Sequence, residues 1–465
     1  MSETNSSWGD SVDSQKANLP RTAYAPFDPE VDAYFYSRTT LEYGSVLPLE
    51  YSGWRNEVMS WKTSCYLHSG LNPAFTHRVK GPDALKLFSD ICVNGFTNFK
   101  IGTLKHGIMC NENGLVVAHG VLSRVGEDEF ITHYLGPWTD YKLKTGKYNA
   151  TGEFINDEFI FQVAGPRALE VLETACRECL HDIRFAGHRM STIDDMRVRV
   201  LRVGMAGTLG YEIHGKMKDV MPVYDALMKA GEAFGITKLG RTAYTMNHTE
   251  NGFPQLFVHF PAPLHEDRGF MEYQGAQWKG RPPPLFSGSM GPDINLRYRN
   301  PVELGWASTI RFDHDFIGRA ALEKEVANPR RLIVTLEWNA DDVVDVYASQ
   351  FRPGARYLAM EPNHSSQHKG RHQMYADQVL KDGKLVGVSS GRMQSYYFRQ
   401  MISMCSIDAQ HAALGTEVTV LWGEPGMEQK PIRATVARFP YLNENRNERL
   451  DVRTIPCLYP SAYTR

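Results

Sequence analysis

Two short segments of the chain repeat one another. Residues 81–88 read GPDALKLF and residues 165–172 read GPRALEVL. A run with strand character precedes each: weak alternation from Cys65 to Val79, and FIFQVA at 159–164. Gly-Pro ends a strand and opens a helix, and Ala84, Leu87, Phe88 and Ile91 recur at helical spacing. A strand–turn–helix unit used twice predicts two similar α+β lobes.

The segments between the copies fit that reading. LKHGIMC and GLVVAHGVLSRV are separated by Asn111-Glu112-Asn113-Gly114. Asn-Gly between apolar runs predicts a hairpin, and EFITHYL supplies a third strand. After the second copy, residues 196–215 alternate and place Gly204, Gly207 and Gly210 around a tight turn. Val220, Val223, Leu227 and Met228 mark a helix, with Gly235 beyond its end. From Arg331 onward LIVTLEW, KLVGVSS, MISMCSID and TEVTVLW read as short strands, with a hairpin signal at Asp382-Gly383. The expected layout is a mobile tail over 1–30, the α+β lobes over 31–325 with an irregular insertion near 255–300, and a C-terminal β-domain over 326–465. Each section of a 465-residue chain then has its own core.

Composition excludes several roles. Charge is balanced, 51 Lys+Arg against 53 Asp+Glu, so no basic face for nucleic acid is expected. No apolar run of about 18 residues is present, so no transmembrane helix is expected. The polar N-terminus lacks the basic and apolar regions of a secretory signal. Seven scattered cysteines suit a reducing cytoplasm. Cys176 and Cys179 form a C-x-x-C inside a helix-like run and are expected to lack a partner, so no metal is called for. His364, His368 and His372 fall in a segment read as a solvated loop.

The chemistry concentrates between Arg202 and Gln255. Glu212 lies in the strand-like GYEI; Arg241 and Tyr244 follow 29 and 32 residues later in GRTAY. A carboxylate, an arginine and a tyrosine can together bind a flat polar heterocycle and protonate a leaving oxygen. Taken in order, GPDALKLFSD, RVGMAGTLGYEIHG, GRTAYTMNHTENG, FDHDFIGRAALE and GTEVTVLWGEPG make the chain resemble the folate-dependent aminomethyltransferase superfamily of the glycine-cleavage T-protein. From about Trp54 to the C-terminus it is most similar to the tetrahydrofolate-dependent aryl O-demethylases.

That resemblance implies a T-protein-like α+β fold, with two α+β lobes and a C-terminal β-barrel around a central folate channel. It implies tetrahydrofolate as cofactor, with Glu212, Arg241 and the adjacent Tyr211 holding it, and Tyr244 as the acid that serves a departing phenolate. A pterin presents neighbouring N–H donors that one carboxylate can accept together, and an arginine offers a fork for a carbonyl or the folate carboxylates. The family aspartate in the strand matching GLVVAHGVL is replaced by His119, a second candidate for proton chemistry or a polar contact. The family's substrate-holding histidine falls at Asn72 or Pro73. Its arginine falls at Leu135, so the anchor for a carboxylate is gone.

His68, His77 and His133 are neighbours able to compensate. Trp54, Phe253, Trp278 and the Pro-rich loop at 279–286 are candidates to line the pocket. The function implied is methyl transfer from a methoxy-aromatic, neutral or larger than vanillate, to tetrahydrofolate. Two alternatives stay open. One is demethylation of a sulfonium or N-methyl donor held by Trp54, Trp61 and Glu57. The other is folate binding without turnover. The partner expected is a small molecule; the oligomeric state is left undetermined. GMAGTLG does not have the spacing of a nicotinamide fingerprint.

Overall fold

A computed structural model describes residues 36–40, 45–71, 76–205, 207–275, 285–363, 367–368 and 371–460. The 1–30 tail, Asn72, Pro73, Trp278, His364 and most of the 279–286 loop lie outside the described residues.

The internal repeat is structural. The first lobe is an antiparallel sheet in the order Thr103–Cys110, Val116–Arg124, Glu129–His133, Thr76–Lys80, Thr151–Ile155. The second runs His188–Ile193, Met196–Leu201, Gly210–Lys216, Glu158–Ala164, Cys65–His68, Ile236–Lys238, its last pair parallel. In both, the strand leading into Gly-Pro pairs with the third strand of the meander that follows. Gly81 and Gly165 have φ of 141° and 130°. A Cβ on either would stand 2.6 Å from the Asn149 carbonyl oxygen or 2.5 Å from that of Ser64, so only glycine allows strand and helix to meet so closely. The helices Ala84–Ile91 and Ala168–Cys176 bury the apolar positions that the spacing predicts.

Several expectations need correction. The stretch from Cys65 to Val79 is two strands: Cys65–His68 belongs to the second sheet and Thr76–Lys80 to the first. The lobes are thereby interlocked, because periodicity reads the strands but not their partners. The helix carrying the C-x-x-C ends at Cys176, with Arg177 left-handed at φ 53°, so Cys179 lies beyond it. The 255–300 region is partly ordered. Its helix Arg268–Gln274 buries Phe270 in the first-lobe core, and its strand Leu285–Ser287 joins the C-terminal sheet. His368 and His372 lie on a short antiparallel pairing, Gln367↔His372 and His368↔Arg371, where a loop was expected.

The C-terminal sheet closes on itself. Strands Arg371–Lys381, Lys384–Ser395, Gln400–Asp408, Arg331–Trp338, Lys430–Ala437 and Glu417–Trp422 follow in order, and Val379↔Val420 and Leu380↔Thr419 seal the barrel. Closure leaves these six strands without a free edge. Leu336, Val379, Cys405, Ile407, Val420 and Ile432 fill it, all buried. The two α+β lobes and the barrel implied by the resemblance are present. No helix among the described residues is long and apolar enough to cross a membrane.

Candidate active site

A cavity of about 1430 Å³ opens between the lobes, walled by both sheets, the Arg241–Glu250 helix and the segment after the barrel. Side-chain alternation on the Gly210–Lys216 strand decides what it sees. Glu212 lines the cavity. Tyr211 and Ile213 point the other way, into the second-lobe core. Tyr211 is fully buried there and is not a cavity residue, which corrects its assignment to the cofactor.

Glu212 is almost wholly buried, and its Oε2 lies 3.0 Å from His214 Nε2. Burial pushes the Glu212 carboxyl up to about 7 and the His214 imidazole down to about 3. The histidine is therefore neutral and the contact is a hydrogen bond, not an ion pair. No lysine or arginine among the described residues lies within ion-pair distance of Glu212. His133, from the first lobe, stands edge-on to His214 at 4.5 Å, with both ring nitrogens lacking hydrogen-bond partners. Burial holds it well below the usual histidine range. Gln162, opposite Glu212 in register, accepts from the Tyr66 hydroxyl at 3.0 Å and keeps an unpartnered Nε2.

Arg241 opens its helix and faces the same cavity, with no ion-pair partner among the described residues. Glu57 fixes this helix start: its Oε2 accepts from Gly240 N–H at 2.7 Å and its Oε1 from the backbone of Tyr51 and Ser52. One turn on, Tyr244 reaches the cavity. Its hydroxyl accepts from Gln255 Nε2 at 3.1 Å and donates to Met205 Sδ at 3.5 Å. His68 stacks on the Tyr244 ring, centroids 4.4 Å apart and planes 17° apart. Its Nδ1–H reaches the Leu239 carbonyl at 3.1 Å. His68 supports Tyr244 from behind and does not line the cavity.

His119 does line it, boxed by Phe253, Phe260 and Trp306. Its Nε2 accepts the Leu256 N–H at 3.2 Å, so Nε2 carries no proton. Its Nδ1–H then donates to His106 Nε2 at 3.1 Å. Burial holds this imidazole well below the usual range. With both nitrogens committed, His119 shapes the wall and has no proton to move; this corrects its assignment as a catalytic group.

Phe253 lines the cavity against His106 and His119. Trp54 does not: it packs in an apolar cluster with Val58 and Trp61, edge-on to Tyr396. Its sequence signal, an aromatic near a turn, does not distinguish packing from a pocket. His77 pairs with Asp140 inside the first lobe at 3.3 Å, and Leu135 is core. Gln255, Met205, His214 and Gln162 were not singled out from sequence. The period of two along GYEIH links His214 to Glu212; the others approach only through tertiary contacts.

The sequence model of the GCVT N-terminal domain matches residues 40–258. Over 423 residues the chain is 43% identical to the sesamin methylene transferase of Sinomonas sp. (strain No.22), covering 88% of this chain and 93% of that protein. It is 32% identical to the syringate O-demethylase of Sphingobium sp. (strain NBRC 103272 / SYK-6), covering 85% and 90%. The chain belongs to the aminomethyltransferase family. It is a tetrahydrofolate-dependent transferase of that family. Its fold matches the glycine cleavage system aminomethyltransferase T of Bartonella henselae with a TM-score of 0.64 at 15% identity, covering 89% of this chain and 95% of that one.

Members of the family use tetrahydrofolate, and the residues here fit it. A buried carboxylate without a cation beside it needs N–H donors, and a pterin edge offers two side by side. The unpartnered nitrogens of His133 and Gln162 are further polar positions around the same strand. A pH dependence follows. Those donors favour the ionised carboxylate, whereas the free protein holds the proton up to about pH 7. Folate affinity is expected to rise with pH through about 7 and to fall roughly tenfold per unit below it. Calorimetric titration from pH 5.5 to 8.5 checks this; a flat profile would remove Glu212 from the binding site.

Proposed function

We propose that this enzyme transfers the one-carbon group of a bulky, neutral aryl ether to tetrahydrofolate and releases the aromatic as a phenol. The carbon is an O-methyl group or the methylene of a methylenedioxy ring. The observation that carries the reading is Tyr244: a phenol in the cavity wall, braced by His68, whose hydroxyl donates to a thioether. Sulfur is a weak acceptor, so that proton is readily turned toward an ether oxygen. Tyrosine and an ordinary phenol titrate close together, so the transfer carries little mismatch.

Tetrahydrofolate, when bound, supplies the nucleophilic nitrogen. Glu212 binds and orients its pterin edge, with Arg241 as the cationic contact on the same wall. As each carbon–oxygen bond breaks, one for a methyl and two for a methylene, the aryl oxygen keeps the electron pair and Tyr244 supplies its proton; the proton displaced from the folate nitrogen as the new carbon–nitrogen bond forms restores Tyr244. Gln255 holds the Tyr244 oxygen in place through its amide. His119, His106, Phe253 and Trp306 form an aromatic wall suited to a flat substrate.

Three features favour a neutral substrate. By the resemblance Leu135 falls at the place of the family arginine, and Arg446 and Arg449, which line the cavity, are committed to backbone carbonyls. The sulfonium reading loses its pocket. Glu57 is fully buried on backbone amides, and Trp61 donates to Glu250 under the Lys62 ammonium.

The test is anaerobic incubation with tetrahydrofolate and a donor panel: a methylenedioxyphenyl lignan, guaiacol, vanillate and dimethylsulfoniopropionate. Folate products are identified by mass. A methylene adduct from the lignan, or a methyl adduct from guaiacol, supports the proposal and names the donor. Turnover of the sulfonium alone would overturn it. Gln255→Leu is expected to lower kcat about tenfold with folate KM unchanged, the size of one neutral hydrogen bond; steady-state kinetics checks this.

A further inference from the structure

The segment after the barrel runs back onto the second lobe. Ile455 packs against that lobe's core, and Leu458 N–H donates to Glu173 Oε2 at 2.9 Å. Here Glu173, Cys179, His181 and Cys457 bring four ligand atoms within 4.8 Å of one another. Glu173 is fully buried on the Ala168–Cys176 helix. Its Oε1 accepts from Leu180 N–H at 2.9 Å and lies 2.8 Å from His181 Nδ1. Cys179 Sγ lies 3.3 Å from the same nitrogen, and its thiol contacts that of Cys457. The partner that sequence denied Cys179 comes from 278 residues down the chain.

We propose that these four residues bind one zinc ion that staples the C-terminal segment to the second lobe. The donor set of two thiolates, one imidazole and one carboxylate is a tetrahedral zinc set with no position left open, which makes the site structural. The histidine is arranged for it. Its Nε2 lies 3.0 Å from the Ile455 carbonyl oxygen, which can only accept. Nε2 therefore carries a proton, which leaves Nδ1, facing Glu173 and the sulfurs, as the nitrogen that a metal would bind, the outer-shell arrangement that orients a metal-binding imidazole. The carboxylate is held too, by two backbone amides from opposite sides of the junction. The cation-capable neighbour of Glu173 among the described residues is His181 itself, and a metal on Nδ1 would take the place of the proton shared there. Binding releases that proton and the two thiol protons to solvent. The stapled segment carries Arg446 and Asn447 into the cavity wall, where Asn447 donates to the Gly210 carbonyl.

The test uses the full-length, untagged protein, reduced and dialysed, with zinc measured by mass spectrometry. One zinc per chain is expected in the wild type and in Cys176→Ser, and none in Cys457→Ser. Cobalt(II) added to the metal-stripped wild type provides a readout that no misfolded variant can confuse. Thiolate charge-transfer bands and the visible bands of a tetrahedral site are expected, with two thiols shielded from alkylation. Zinc content equal in wild type and Cys457→Ser, or cobalt without those bands, overturns the proposal. So does a Cys179–Cys457 disulfide in metal-free protein purified without reductant, which would make the pair a redox link.

Discussion

Tyr244→Phe is expected to lower turnover by about 10²–10⁴-fold while leaving folate affinity within a factor of two, the range for loss of a positioned general acid. The substitution keeps the ring that His68 stacks on and the packing against His248. It removes only the hydroxyl that meets Gln255 and Met205. Folding is therefore expected to be retained, and the effect to fall on the chemical step. Single-turnover kinetics with preformed enzyme–folate complex reads that step directly. A donor with an acidified phenol, such as a nitro-substituted aryl ether, needs less protonation as it departs. The penalty for Tyr244→Phe is expected to shrink with it. A penalty independent of leaving-group acidity would show that Tyr244 only shapes the cavity.

The second large effect concerns Glu212→Gln. Folate affinity is expected to fall about 100-fold, as an amide cannot accept both pterin donors and loses the charge that strengthens them. Stability is expected to move the other way. The folded protein keeps the Glu212 proton up to about pH 7, whereas the unfolded chain releases it near 4.5. Folded wild type thus loses stability as pH rises from about 4.5 to 7, and the loss reaches roughly 3 kcal/mol above that window. Glutamine has no proton to lose. The ligand-free variant is expected to melt at or above the wild-type temperature at pH 8, with the advantage vanishing near pH 4.5. Calorimetry of both proteins across that range, with and without folate, checks both halves. A binding residue that costs the empty fold stability is what a site prepared for a ligand predicts.

Much of this was legible in the chain. The Gly-Pro repeat marked both lobes because a left-handed glycine packed on a neighbouring strand leaves a local signature. Asn113-Gly114 and Asp382-Gly383 marked their hairpins for the same reason: Gly114 and Gly383 have φ of 74° and 76°. Glu212, Arg241 and Tyr244 were read from motif spacing, and all three line one cavity. Strand period alone would have turned Tyr211 away from Glu212, since neighbours on a strand face opposite sides.

The sequence by itself determined the local elements, their order and the family, since turn geometry, periodicity and motif spacing are properties of adjacent residues. Only the tertiary structure decided which strands pair across the lobes and that His119 has both nitrogens committed. It alone placed Trp54 in packing, put Gln255 on the Tyr244 hydroxyl and joined Cys179 to Cys457. Each depends on a partner far away in the chain, and closing so long a loop leaves no trace in local composition.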